Sequence, residues 1–379
     1  MTVQATPRAS REEKDRLIDD FVRLCEIASP SKLERPMVDA VAADLRDLGL
    51  EVTEDDSGGQ TGSNAGNLLT RIEGPEDARS ILMCAHVDTV PHDAPVEVVR
   101  EDGIFYNRHD AILGADNKAA VAVLLALARR FAGERAPVGV ELVFTTCEEI
   151  SLRGAKALDM GPLRSEYGYV FDHATPIGEL VVAAPTYFRV AASFRGKAAH
   201  AGIRPEDGRN AIAAAASAIS RMELGRLDEE TTANVGMIGG GTAPNVVAER
   251  CEVELEARSL SHDRASDVVT AMVDSLTEAA SDAECDVETT VQQQFRGYRL
   301  QRTAQPVAVA AGALEALGFE PRYISTGGAS DAHIFQAAGI PCLNMANGTE
   351  RNHQPDESVS VDALETMLDV AIGLVALSA

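Results

Sequence analysis

Residues 81–90, reading ILMCAHVDTV, constrain this chain more than any other stretch. The apolar run 81–85 shows no polar alternation, so it predicts a strand buried on both faces, as in a parallel sheet covered by helices. The run ends on His86 and Asp88, and residues two apart on a strand share a face. A carboxylate beside a histidine can accept its ring N–H, which fixes the tautomer so that the other nitrogen faces a metal. One His-x-Asp at a strand end is more simply a solvated pair. It gains meaning only if the chain brings further ligands to the same place.

The surrounding pattern alternates strands with helices. Ser10 and Glu13 form a capping box ahead of Leu17, Ile18, Phe21, Val22 and Cys25 at helical spacing. A helix is predicted over 34–48, a strand over 67–72, and a loop from the His86 strand to Gly114. An apolar helix over 117–131, a strand over 138–145, a helix over 151–158 and a strand over 167–171 follow. Such alternation implies an α/β sheet with parallel pairs.

Near Pro185 the rhythm changes. A strand over 187–194, an Ala-rich helix over 205–222 and a strand over 231–238 lead to a turn at Gly239-Gly240-Gly241. A strand over 246–258, a helix over 262–280 and a strand over 286–294 complete β-α-β-β-α-β, the order of a ferredoxin-like unit. The α/β rhythm then returns: a helix over 306–317, Gly327-Gly328, a helix opened by Asp331, a strand over 340–345 and a helix over 361–377. The expected fold class is α/β. Residues 1–185 and 297–379 form a discontinuous domain around a central, mostly parallel sheet, and residues 186–296 form an inserted ferredoxin-like domain.

Composition bounds the partners. A net charge of −25 argues against nucleic acid and anionic membranes, which repel an acidic surface. The six cysteines (Cys25, Cys84, Cys147, Cys251, Cys285, Cys342) are scattered without a C-x-x-C pair, several in apolar runs, which suits buried reduced thiols. The N-terminal stretch lacks an apolar signal core, and no window reaches the roughly 18 apolar residues of a membrane span, so a cytoplasmic protein is expected.

Polar groups gather at the carboxyl ends of the predicted strands, where open α/β sheets bind ligands. His86 and Asp88 follow one strand, Glu148 and Glu149 another, Asp172 a third, and His353 lies past a fourth. Asp116 opens a helix, where the dipole and free N–H groups favour an acid. Each residue alone has an ordinary reading: a helix cap, a solvated pair, a loop acid. Together they suit a pair of divalent cations such as zinc. Spacing alone leaves open which acid bridges the two.

These residues bring a resemblance into view. The chain resembles the dinuclear zinc exopeptidase and amidohydrolase family that includes peptidase T, glutamate carboxypeptidase, aminoacylase and succinyl-diaminopimelate desuccinylase. The shared motifs are HVDTV (86–90), GADNKAAVA (114–122), TTCEEISLRGAK (145–156), FDHATPIGE (171–179), GKAAHAG (196–202), GGGTAPNVV (239–247), EARS (256–259), GGASDA (327–332) and NHQPDE (352–357). They cover nearly the whole chain and point to the peptidase-T-like branch.

The resemblance implies roles. Asp116 bridges two metals, with His86 and Asp172 completing one site and Glu149 and His353 the other. Asp88 orients His86, and Glu148 is the general base that takes a proton from a metal-bridging water. His200, in the inserted lid, polarises the scissile carbonyl or stabilises the oxyanion, and Asn245, Arg258 and Gly328 contact substrate, Arg258 being suited to grip a carboxylate. The metals are zinc, with cobalt or manganese as alternatives. The protein is expected to be a homodimer through its lids. The other histidines (His92, His109, His173, His262, His333) are given no role; His173 is the natural exception because it adjoins Asp172.

The expected activity is metal-dependent hydrolysis of a peptide bond in small peptides, as a di- or tripeptide exopeptidase. An N-acyl-amino-acid amidohydrolase uses the same chemistry, and Arg258 suits either. A non-catalytic binding protein on this fold would be marked by loss of Glu148 or of a metal ligand, and none is lost.

Overall fold

The strand Ser80–His86 runs through the middle of a mixed sheet in the structure, a computed structural model that describes residues 7–379. It pairs in parallel with Gly139–Thr145 on one side and with Tyr167–His173 on the other. Tyr167–His173 in turn pairs in parallel with Cys342–Ala346. Every residue from Ile81 to His86 is buried, the burial that an unbroken apolar run needs to be stable. The margins are antiparallel: Leu68–Ile72 lies against Gly139–Thr145, and Glu179–Ala184 against Cys342–Ala346. The sheet therefore has a parallel centre and antiparallel borders.

The helix Ala115–Gly133 is apolar on all sides from Ala119 to Ala128 and is buried there, as such a stretch must be. It shares one hydrophobic core with the central strands and with Arg11–Cys25 and Val361–Leu377. At Ser10 both halves of the capping box form: the Ser10 hydroxyl accepts the Glu13 N–H, and the Glu13 carboxylate accepts the Ser10 N–H at 2.6 Å.

The chain divides into two compact units. One comprises the residues up to 182 with 300–325 and 329–379; the other comprises 183–299 with 326–328. The second unit is an antiparallel sheet in the order Gly225–Asp228, Thr231–Gly240, Arg250–Ser259, Thr186–Arg195, Asp286–Phe295. The helices Ala211–Arg221 and His262–Asp282 pack on it over Val190, Phe194, Leu255, Met272 and Leu276. Apart from the edge strand Gly225–Asp228, this is the arrangement expected of β-α-β-β-α-β.

Local readings differ in three places. The helix expected over 205–222 is a 3₁₀ turn, Pro205–Asp207, followed by an α-helix that starts at Ala211. Between them Arg209 is bridged to Lys197, and Asn210 caps the helix by accepting the Ala213 N–H at 3.1 Å.

The glycine triplet is not all turn. Thr231–Gly240 stays in the sheet with Gly240 opposite Cys251, and the next strand begins at Arg250. A Cβ on Gly240 would lie 2.5 Å from the Arg250 carbonyl oxygen, so glycine serves close strand approach there.

Within the expected loop before Gly114, Val98–Glu101 and Ile104–Asn107 form a hairpin. Its turn residues Asp102 and Gly103 have φ of 49° and 81°, the signature of an Asp-Gly hairpin turn, whose signal in the sequence is the Asp-Gly pair itself. The hairpin joins Ser358–Ser360 and Thr349–Glu350 in a small sheet that frames the His353 loop.

The six cysteines are free and buried. Among the described residues no helix is long and apolar enough to cross a membrane.

Candidate metal centre

His86 is 2% exposed at the end of its strand. Its Nδ1 lies 3.0 Å from the backbone carbonyl of Asp88, which holds the ring-NH tautomer there and turns Nε2 outward. Nε2 stands 3.3 Å from Asp116 Oδ1 and 3.5 Å from Asp172 Oδ1. A nitrogen facing two carboxylates must either carry a proton or share a cation with them. Burial alone would push the His86 pKa down, but its acceptors Asp116, Asp172 and Asp88 outweigh it and hold the ring well above the ordinary histidine range.

Asp116 presents its other oxygen elsewhere. Its Oδ2 is 3.3 Å from His353 Nε2, and that nitrogen is 2.9 Å from Glu149 Oε1. The aspartate is not a cap of the helix it opens. Its φ and ψ are −82° and 104°, outside the helical range, and its carboxylate faces the two imidazoles. The carboxylate is thus aimed at two histidines, one per oxygen.

Glu148 and Glu149 follow the strand Gly139–Thr145 and diverge because the backbone turns. Cys147 has φ of 53°, and the Leu152 N–H closes on the Glu148 carbonyl at 2.7 Å. Ligand atoms of His86, Glu148 and Asp172 lie within 4.8 Å of one another, and so do those of His86, Asp116 and Glu149.

The donor set suits divalent metal ions. Ligand atoms on a tetrahedral cation with bonds of about 2.0–2.1 Å stand about 3.3 Å apart. That is the spacing from Asp116 to each histidine. The charges agree: four carboxylates (Asp116, Glu148, Glu149, Asp172) surround two imidazoles in a largely buried space. Burial, with repulsion from Asp116 and Glu149, pushes Asp172 up to about 8 despite the opposing His86. Burial and Asp172 hold Glu148 well above the usual carboxylate range. Asp116 and Glu149 lift His353 to about 10. Such crowding is relieved either by protons or by cations seated between the donors.

Neighbouring polar side chains fix the backbone of these residues. The Asp88 carboxylate accepts the N–H groups of Glu148 and Glu149 and the Ser31 hydroxyl. Asp88 therefore orients His86 chiefly through its carbonyl, while its carboxylate, 3.5 Å from Nδ1, holds the glutamate pair. The Asn344 amide pairs with both the N–H and the carbonyl of Asp172, at 3.0 and 3.2 Å. Glu34, fully buried, accepts the Cys147 N–H at 3.1 Å. Asn344 and Glu34 carried a signal in the sequence only as polar residues beside apolar runs, which says that a partner is needed and not which one.

The other expected residues lie in the second unit. His200 is exposed, bridged to Val246, with Nδ1 accepting the Gly202 N–H at 3.2 Å. Asn245 is exposed, and its carbonyl accepts the Ala201 N–H. Arg258 lies 4.2 Å over the Tyr187 ring, pairs with Glu256 at 3.2 Å and donates to the Gly327 carbonyl at 3.1 Å. Gly328 donates its N–H to the Thr326 hydroxyl at 3.1 Å. Among the described residues, neither cation cluster includes His173.

Residues 82–376 match the family described as Peptidase family M20/M25/M40. The chain belongs to this family. It is 36% identical to the uncharacterised protein YqjE of Bacillus subtilis, over 95% of this chain and 97% of that one. The crystal structure of an aminopeptidase, PepT, from Bacillus cereus superposes with a TM-score of 0.89 at 35% identity, covering 96% of this chain and 98% of that one. A tripeptidase from Staphylococcus aureus superposes with a TM-score of 0.92 at 32% identity, with the same coverage. These likenesses carry a hydrolase of the M20 peptidase family with a catalytic and a lid domain.

Proposed function

We propose that the protein is an exopeptidase for di- and tripeptides that works with two divalent cations, zinc in the first instance. The observation that supports this most is the divided aim of Asp116, one oxygen toward His86 and the other toward His353. In this reading Asp116 would help to hold both cations, with His86 and Asp172 completing one site and Glu149 and His353 the other. The cations, when bound, supply Lewis-acid polarisation of the scissile carbonyl and lower the pKa of a water toward about 7.

The remaining work belongs to side chains. Glu148 takes the proton of the attacking water and returns it to the leaving amine, its carboxylate lying within 4.8 Å of the ligand atoms of His86 and Asp172. Asp88 holds Glu148 and Glu149 apart in their separate roles through their N–H groups. His200, from the lid of a partner subunit in a homodimer, donates to the developing oxyanion. Arg258, already stacked on Tyr187, grips a substrate carboxylate, with Asn245 and Gly328 beside it. Buried free thiols agree with a cytoplasmic setting.

Hydrolysis of a panel of di- and tripeptides against N-acetyl and N-succinyl amino acids, with and without chelator, tests the proposal. Chelator-sensitive release of an amino acid from the peptides is the expected result. Preference for the N-acyl amino acids overturns the peptide assignment in favour of an amidohydrolase.

A further inference from the structure

Glu357 is 1% exposed and has no part in the roles above. Its carboxylate accepts two backbone N–H groups from one distant segment: Oε2 from Gly114 at 2.8 Å and Oε1 from Asp116 at 2.9 Å. That segment departs from helical geometry, with Gly114 at φ 76° and Asp116 at ψ 104°. N–H groups at a helix start need an acceptor, and a buried carboxylate meets the need through both its hydrogen bonds and the helix dipole.

The other end of Glu357 lies in the His353 loop. That loop is closed by the Gln354 N–H on the Arg351 carbonyl at 3.1 Å and the Glu357 N–H on the Gln354 carbonyl at 3.0 Å. It then enters the strand Ser358–Ser360, which pairs with Ile104–Asn107. One side chain therefore ties the segment that carries Asp116 to the loop that carries His353.

We propose that Glu357 is a positioning residue that sets the spacing of Asp116 and His353, and so shapes the cation pocket formed by Asp116, Glu149 and His353. The inference rests on the dinuclear centre proposed above. The other pocket shares Asp116 but keeps further anchors of its own: His86 is held by its strand and the Asp88 carbonyl, and Asp172 by Asn344. His353 is half-exposed on a loop at φ 65°, so its distance to Asp116 depends on what pins that loop. Metal sites tolerate only a few tenths of an ångström in ligand placement, and loss of a residue that orients a ligand lowers affinity about 10–100-fold.

The test is a calorimetric zinc titration of metal-stripped protein. Wild type is compared with Glu357→Gln, which keeps one acceptor oxygen and turns an amide donor on the other N–H. Glu357→Asp, which keeps both acceptors on a shorter stem, and His353→Ala are titrated alongside. The expected result is two binding steps in wild type. In Glu357→Gln the step that His353→Ala loses is weakened about 10–100-fold, more than the other step, which shares Asp116, and Glu357→Asp is intermediate. If Glu357→Gln does not fold, the same comparison is read from Glu357→Asp.

Wild-type titration in both variants, or equal weakening of both steps, overturns the role of Glu357 while leaving the dinuclear centre standing. Fewer than two steps in wild type overturns the centre and the role together.

Discussion

The Oδ1 of Asp88 accepts the backbone N–H of Glu148 at 2.9 Å. The base proposed for the reaction is thus held from behind by an acid on the neighbouring strand end, and Oδ2 of the same acid holds Glu149 at 3.2 Å. Adjacent glutamates can serve different tasks only when their backbone is fixed in a turn that sends them apart. Asp88→Asn keeps one acceptor and sets an amide donor against an N–H. It should lower metal affinity or turnover about 10–100-fold with the fold intact, as read by metal titration, kinetics and circular dichroism together. Wild-type values would make the two hydrogen bonds dispensable.

Glu148→Gln preserves shape and removes the proton acceptor. Turnover of the best tripeptide should fall by about 100-fold or more with bound metal unchanged. Near-normal turnover would move the base to another group.

Purified protein should carry about two equivalents of divalent metal, and chelation should abolish activity, with recovery on adding zinc back. Elemental analysis showing one tightly held ion at full activity would end the bridging role of Asp116.

His200 and Glu148 make a prediction about mixtures. His200→Ala and Glu148→Ala are each expected to be nearly inactive, since one lost oxyanion donor costs about 10²–10³ in turnover. Refolding the two variants together should rebuild a complete site in the heterodimer, from Glu148 of one subunit and His200 of the other. Activity that stays at the sum of the separate variants, with heterodimers demonstrated, would show that His200 does not act across subunits.

Gly240→Ala tests the fold. Its Cβ would meet the Arg250 carbonyl at 2.5 Å, so the strands must separate. A loss of roughly 1–3 kcal/mol is expected, measured as a lower denaturant midpoint at constant slope. An unchanged midpoint would mean that the sheet yields there without cost.

The chain order by itself determined the architecture, because burial patterns are local. The run 81–85, apolar on both faces, could only be an inner strand, and the alternation around it specified an α/β sheet with an inserted antiparallel unit. It also supplied the chemistry-bearing residues, since polar groups after apolar strands fall at one end of a parallel sheet. What the tertiary structure decided was orientation. Nothing in the order of residues says that Asp116 leaves the capping of its helix to Glu357 and turns one oxygen to each histidine. Nor does it say that Asp88 meets His86 through a carbonyl and Glu148 through a carboxylate, or that Asn344 reaches back to Asp172 from 172 residues away. Those partners are chosen by the packing of distant strands, and hydrogen bonds have a direction that residue type and spacing do not carry.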